Sequence, residues 1–244
     1  MTDLGGRGKA LAQLGVALWN DPSSFRYLGR WIRTRKSGHS PVRDRLPWMN
    51  FKVIRWLDSY LRPSMDVFEY GAGGSTPFVA RRVHRLISVE HDPRWFTVVS
   101  DVLAVEGIRN CALRLVPAVK SERATTVPYG PRSYTSFAPH TKGYTFEAYV
   151  RTIEDYADGA FDLVIVDGYA RPSAVAHAIP KIRPGGYLLL DDSDGEYVRP
   201  AIPVLDGFPR RDFLALAPFE RGLQQASVWR IDAKGSSTPR PQRR

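Results

Sequence analysis

The chain has 244 residues, 43% of them hydrophobic, enough for one α/β domain with additions and a buried core. A single cysteine, Cys111, excludes an internal disulfide framework and suits a reducing compartment, with Cys111 read as a buried structural thiol in an apolar run. The net charge of +10 sits on the ends: residues 1–48 sum to +6 and residues 233–244 to +4, so the body 49–232 is neutral.

Residues 1–8 are glycine-rich, and Leu11, Leu14 and Leu18 predict a short amphipathic helix over 9–19. Gln13 and Gly15 interrupt that stretch, no small-residue cleavage pattern follows it, and no apolar run approaches the ~18 residues of a membrane span. The expectation is a cytoplasmic protein. Ser24–Arg35 reads as a second helix, apolar at Phe25, Leu28, Trp31 and Ile32 and charged at Arg26, Arg30, Arg33 and Arg35. A basic amphipathic helix of this kind makes peripheral membrane contact, or caps the domain with its aromatics inward, the reading favoured here. Lys36–Pro47 reads as a polar linker. Trp48–Leu61 carries Phe51, Ile54, Leu57 and Leu61 at helical period, and Pro63 ends it.

A strand, Asp66–Glu69, then meets a glycine-dense turn, Gly71, Gly73 and Gly74. Thr76 is expected to cap a helix with Pro77 at its first position. A second apolar run, Leu86–Val89, ends on Glu90, 21 residues after Glu69. Strand, glycine turn, helix, strand, acid is half of a nucleotide-binding unit: the glycines admit a ligand to the backbone, and the second acid accepts bonds from a ribose. The turn lacks the Lys-Ser/Thr of a P-loop, and an acid at Glu69 is poorly placed for a pyrophosphate. Both features favour a ligand with a cationic or neutral end.

Asp92 caps a helix running to about Val105, closed at Glu106-Gly107, and Cys111–Val116 is the third strand. Residues 117–145 form a long loop with Tyr129, Tyr134, Phe137, His140 and Tyr144, a candidate substrate wall. Phe146–Tyr156 reads as helix. Phe161–Asp167 is an apolar run of the buried parallel type, Pro172–Ile182 a helix, Pro184-Gly185-Gly186 a turn, and Tyr187–Leu190 a strand ending on Asp191-Asp192. Arg211–Leu216 and Ser227–Ile231 predict an antiparallel pair, and the Ser/Pro/Arg-rich segment 233–244 a disordered basic tail. The expected fold is α/β: a Rossmann-like parallel sheet with a terminal antiparallel strand pair, helices on both faces, and an N-terminal helical extension. The domain organisation is a basic extension and linker over 1–48, a catalytic domain over 49–232, and the tail.

The run Glu69-Tyr-Gly71-Ala-Gly73-Gly-Ser75 resembles the first motif of class I S-adenosylmethionine-dependent methyltransferases, with Ser75 in place of a third glycine, and the resemblance covers about residues 49–232. It implies S-adenosylmethionine as cofactor, the methionine end held by Glu69, Gly71, Gly73, Ser75 and Thr76, the ribose by Glu90, and the adenosine bordered by His91, with Asp167 also beside the cofactor. The spacing of Asp167 and Asp191-Asp192 resembles the metal site of cation-dependent O-methyltransferases, which implies Mg²⁺ on Asp167, Asp191 and Asp192 lowering the pKa of an acceptor hydroxyl. The lysine base of catechol-type relatives is absent: Ala170 stands there, which leaves the base unassigned, with His91 and His140 as candidates for it and Asp167 and Arg171 as further catalytic candidates. The order Pro47-Trp48, FEYGAGGST, SVEHDPRW, FDLVIVDG and PGGYLLLDD resembles bacterial methyltransferases, and relatives with an acidic pair after strand five include sugar O-methyltransferases, so a glycan or small-molecule hydroxyl is the expected acceptor.

Two other readings compete. A nucleic-acid methyltransferase would use the basic ends, but the neutral body and Asp167-Gly-Tyr-Ala, where an amino-methylation motif would stand, argue against it. A binding module of the same fold would keep the pocket without the chemistry. The sequence leaves oligomeric state open.

Overall fold

The computed structural model describes residues 22–232 and, before them, Gly15 and Trp19; the predicted 9–19 helix and the 233–244 tail lie outside the described residues. Five strands run parallel: β1 (Asp66–Tyr70), β2 (Arg85–Glu90), β3 (Cys111–Leu115), β4 (Phe161–Val166) and β5 (Ile182–Asp191). Two more, β6 (Arg210–Leu216) and β7 (Leu223–Ile231), complete the sheet as an antiparallel pair, in the order β3-β2-β1-β4-β5-β7-β6. The order reverses between β1 and β4, where connections leave the sheet in opposite directions and open a crevice at the strands' carboxyl ends. That is the Rossmann-like architecture read from the sequence.

The apolar runs become strands because both faces of the sheet are covered. On β1, Val67 faces one layer of the core with Phe51, Leu57 and Leu86, while Phe68 and Tyr70 face the other with Tyr149, Phe161 and Val164. Alternation along β1 and β2 therefore places Glu69, Ser88 and Glu90 on the same face as Val67. There they lie beside α4 (Ser75–Ala80) and α5 (Pro93–Val105).

The N-terminal extension docks on this body. A 3₁₀ turn, Pro22–Tyr27, leads into α1 (Leu28–Thr34), whose Tyr27 and Trp31 are buried against the core holding Phe51. The Trp31 indole donates to Glu220 O at 3.0 Å, in the β6–β7 connection. Phe25 and Ile32 face outward. The segment 36–47, expected as a linker, instead contains α2 (Pro41–Asp44), capped by Ser40 and closed by Arg45 in the left-handed region. It packs because Val42 joins Val99 and Leu103 of α5, and because Arg45 and Arg81 both pair with the nearly buried Glu106.

Other expectations shift at the edges. The helix expected from Trp48 is α3 (Phe51–Tyr60), capped by Asn50. The turn expected at Pro184-Gly185-Gly186 lies within β5, where the register with β4 slips and Gly185 takes φ +85°. The loop 117–145 contains a short ribbon of Val119–Lys120 against Tyr144–Thr145 and a single turn of helix, α6 (Arg123–Thr126). The helix expected over Phe146–Tyr156 is α7 (Glu147–Arg151) followed by a 3₁₀ turn, and α8 (Arg171–Ala178) follows β4. Among the described residues no helix is long and apolar enough to cross a membrane.

Asn50 ties the start of α3 to the sheet. Fully buried, it accepts from Val53 N at 3.0 Å and donates to Phe213 O on β6 at 2.9 Å. Asn50→Ala loses a cap and strands a buried carbonyl, and urea denaturation is expected to show a loss of about 2–3 kcal/mol.

Candidate functional site: a cleft at the carboxyl ends of the strands

A cleft of about 1150 Å³ opens at the switch point, lined by the glycine turn, the tips of β2, β4 and β5, and the β6–β7 connection. Its floor needs two glycines. Gly71 has φ +90°, and a Cβ there would lie 2.8 Å from the Gly168 backbone. A Cβ on Gly168 would lie 2.0 Å from the Tyr149 hydroxyl. The loops after β1 and β4 touch at these points.

The other glycines of the turn answer to different neighbours. A Cβ on Gly74 would collide with the carbonyls of Leu46 and Pro41 at 2.2 and 2.3 Å, so Gly74 makes room for the N-terminal segment. A Cβ on Gly73 would meet nothing closer than 3.9 Å, so Gly73 presents bare backbone to the cleft. The Trp95 indole stands beside it and donates to Ala72 O at 2.5 Å.

Glu69 and Thr76, expected to touch the cofactor, do not line the cleft; both are fully buried beneath the turn. Strand alternation turns Glu69 inward, where its Oε2 accepts from Thr76 Oγ1 at 2.7 Å and Ser88 Oγ at 2.6 Å. Thr76 Oγ1 in turn accepts from Gly73 N at 2.9 Å. Gly74, not Thr76, holds the cap position of α4. Burial pushes the Glu69 carboxyl above its ordinary range, opposed by bonds from Ser75, Ser88 and Thr76. The pair therefore supports the turn from below. Gly71, Gly73, Ser75, Glu90, His91 and Asp167 do line the cleft.

Glu90 closes the β2 tip. Its Oε1 accepts from His91 N and Asp92 N, each at 2.7 Å, and its Oε2 from Ala72 N at 3.1 Å. A carboxylate oxygen takes about two bonds, so Oε2 keeps one for a ligand hydroxyl. His91 Nδ1 is 2.8 Å from Glu90 Oε1, and its ring lies 4.4 Å from that of Tyr169. This arrangement makes His91 a wall of the cleft. Asp92 caps α5 as expected, accepting from Arg94 N at 2.8 Å and Trp95 N at 3.0 Å.

The acids at the tips of β4 and β5 surround Arg171. Its Nε donates to Gly168 O at 3.0 Å, Nη1 to Asp191 O at 2.6 Å and Asp192 Oδ2 at 3.3 Å, and Nη2 to Asp167 Oδ1 at 3.1 Å and Asp167 O at 3.2 Å. Gln224 on β7 donates to Asp191 Oδ2 at 2.9 Å and Asp192 Oδ1 at 2.7 Å. Tyr197 donates to Asp192 Oδ2 at 2.7 Å. With its donors spent on protein acceptors, Arg171, one of the catalytic candidates, holds the rim in place.

Asp191 Oδ1 is buried and meets no N–H or O–H donor. Burial, opposed by Arg171 and reinforced by Asp192, pushes Asp167 up to about 7. Burial and then the Asp167 charge push Asp191 well above the carboxylate range. A charge on either carboxyl therefore disfavours a charge on the other. Asp167 keeps 21% of its side-chain surface open to the cleft, whereas Asp191 is 1% exposed.

This donor set does not fit the expected magnesium site. A hard cation needs ionised oxygens facing one point. Here one oxygen each of Asp167 and Asp192 is taken by Arg171, Asp192 Oδ2 also accepts from Tyr197, and Asp191 Oδ2 and Asp192 Oδ1 accept from Gln224. Among the described residues no group of three acid, histidine or cysteine side chains is placed to hold a metal ion. The positive charge that the acidic rim requires is supplied by Arg171.

Two participants carried no sequence signal: Gln224, which arrives on an antiparallel strand, and Tyr197, from a 3₁₀ helix, Glu196–Leu205. Trp48, which stands in sequence beside Pro47 at the head of the motif order, donates its indole N–H to Glu220 Oε1 at 3.0 Å at the cleft's edge. Trp95 ends the SVEHDPRW run, which by itself assigns it no wall role.

No family model matches the sequence. No curated protein matches it. Solved structures do match in fold. A putative O-methyltransferase from Klebsiella pneumoniae is 16% identical with a TM-score of 0.55, over 92% of this chain and 100% of that one. The O-methyltransferase TomG from Streptomyces achromogenes, solved with S-adenosylmethionine, is 15% identical with a TM-score of 0.51, over 70% of this chain and 75% of that one. An rRNA methylase from Streptococcus thermophilus is 14% identical with a TM-score of 0.50, over 73% and 93%. The chain has the Rossmann-like fold of class I S-adenosylmethionine-dependent methyltransferases.

The glycines separate in a simple experiment. Gly71→Ala forces backbone apart and is expected to lower the melting temperature by several degrees, while Gly73→Ala is expected to stay near the wild type. Magnesium titrated into the protein is expected to release no saturable heat; saturable binding lost in Asp192→Asn would restore the cation site.

Proposed function

We propose that the protein is an S-adenosylmethionine-dependent methyltransferase that methylates a hydroxyl oxygen of a small molecule. The observation that carries this reading is the bare Gly73 backbone between Trp95 and the Glu90 carboxylate, opening onto Asp167 across the switch point. Gly71, Gly73 and Ser75 would hold the amino-acid end of the cofactor, and Glu90, with an acceptor site left on Oε2, its ribose. His91 and Trp95 would flank the adenosyl group. Bound there, S-adenosylmethionine supplies a methyl group on a sulfonium, whose transfer to a hydroxyl releases one proton.

The chain's own part is positioning and proton acceptance. Asp167 faces the cleft from the β4 tip, tuned close to neutrality, where a general base works best. Arg171 fixes the orientation of Asp167 through Oδ1, leaving Oδ2 for the acceptor. Excluding water around an aligned pair of reactants supplies much of the rate in such a transfer.

Calorimetric titration with S-adenosylmethionine is expected to show one site, lost in Gly73→Leu, which folds but fills the cradle. No binding by the wild type at sub-millimolar cofactor would end the enzyme reading. Because Asp167 must be ionised to accept a proton, kcat/KM is expected to rise as pH passes upward through about 7 and level off above it. Asp167→Asn is expected to remove that limb and cost at least ~100-fold in turnover while leaving cofactor affinity in place.

A further inference from the structure

A second cavity, about 300 Å³, adjoins the main cleft and shares Gly168, Tyr169, Arg171 and Tyr197 with it. Its remaining walls come from the long loop and the start of α8: Tyr129, Phe137, Pro139 and Ala170 among them. The rings form a continuous lining, Tyr129 to Phe137 at 5.8 Å and Phe137 to Tyr197 at 6.4 Å, stacked. Phe137 is 59% exposed, an aromatic left standing at the mouth.

The polar atoms around this cavity are already engaged. Tyr129 Oη donates to Tyr197 O at 2.7 Å, Tyr197 Oη to Asp192 Oδ2 at 2.7 Å, and Tyr169 Oη lies 3.1 Å from His140 Nε2. Arg171 spends its donors on the rim. Among the described residues, Ser136 supplies the one further side-chain hydroxyl of the lining. A sugar ring placed here would lose the hydration of several hydroxyls and find almost no partners in return. A flat, weakly polar ring loses little and gains the aromatic walls. An apolar cavity of ~150 Å³ holds benzene, so this one accommodates a fused pair of rings.

We infer that this side cavity is the acceptor subsite and that it takes a planar aromatic ring, whose hydroxyl lies at the shared edge beside Asp167. The inference rests on the proposed methyltransferase reading and replaces the glycan acceptor with an aryl alcohol. Its polar edge and its apolar end match the two ends of such a molecule.

The test uses 2-naphthol as the probe, with methyl glucoside as the sugar control, in equilibrium dialysis against the full chain. Saturable naphthol binding is expected, unaffected by excess methyl glucoside. Phe137→Ala is expected to weaken it about tenfold, the worth of one aromatic wall, and Ala138→Trp, which fills the mouth, to abolish it. Calorimetric affinity for S-adenosylhomocysteine, measured on the same variants, is expected to stay at the wild-type value, which also certifies their folding. Naphthol binding that is absent, insensitive to both substitutions, or displaced by methyl glucoside overturns the inference. Failure of the wild type to bind S-adenosylhomocysteine overturns the methyltransferase reading instead, and the naphthol result still decides whether the cavity takes a ring.

Discussion

One guanidinium holds the rim of the cleft together. Three carboxylates gather at the ends of two neighbouring strands, a concentration of charge that burial makes costly. Arg171 meets it from inside, bonding the loop after β4 and the loop after β5 at once. It occupies the first position of α8, so it is delivered by Ala170 turning through φ +51° at the helix cap. Asp191 lies buried behind it, and Asp167 keeps a face to the cleft. Without the arginine the same acids would either repel one another or need a bound cation.

The glycine turn shows how one dense motif serves several neighbours. Gly71 lets two loops meet at the switch point, Gly74 lets the N-terminal segment lie across the turn, and Gly73 is the one of the three where a Cβ would meet nothing closer than 3.9 Å. Beneath them, Glu69, Thr76 and Ser88 form a buried chain of hydrogen bonds that holds Gly73 N in place. A residue type suited to ligand contact is thus used for support, because the strand's alternation points it inward.

The N-terminal segment and the β6–β7 connection, about 170 residues apart in sequence, complete the wall together through Trp31, Trp48 and Glu220. The long loop supplies the opposite side through Tyr144 and His140, and the aromatic lining of the second cavity. Tyr134, counted with the same aromatic set, turns away to His177 and Arg151.

Much of this protein is written locally. The parallel strands follow from unbroken apolar runs, the helix at Pro93 from Asp92, and the cleft's place from glycines and acids at strand ends, because each depends on neighbouring residues or on period alone. Gly71, Gly73, Glu90 and Asp167 were legible for the same reason. What the sequence could not determine is who answers whom across the fold. That Arg171 fills the space between the acids, that Glu69 lies beneath the turn, and that Gln224 and Trp48 reach the rim depend on distances between segments far apart in the chain. Charge balance and packing at those meeting points are settled by tertiary structure, since a buried carboxylate takes whichever donor the fold brings to it.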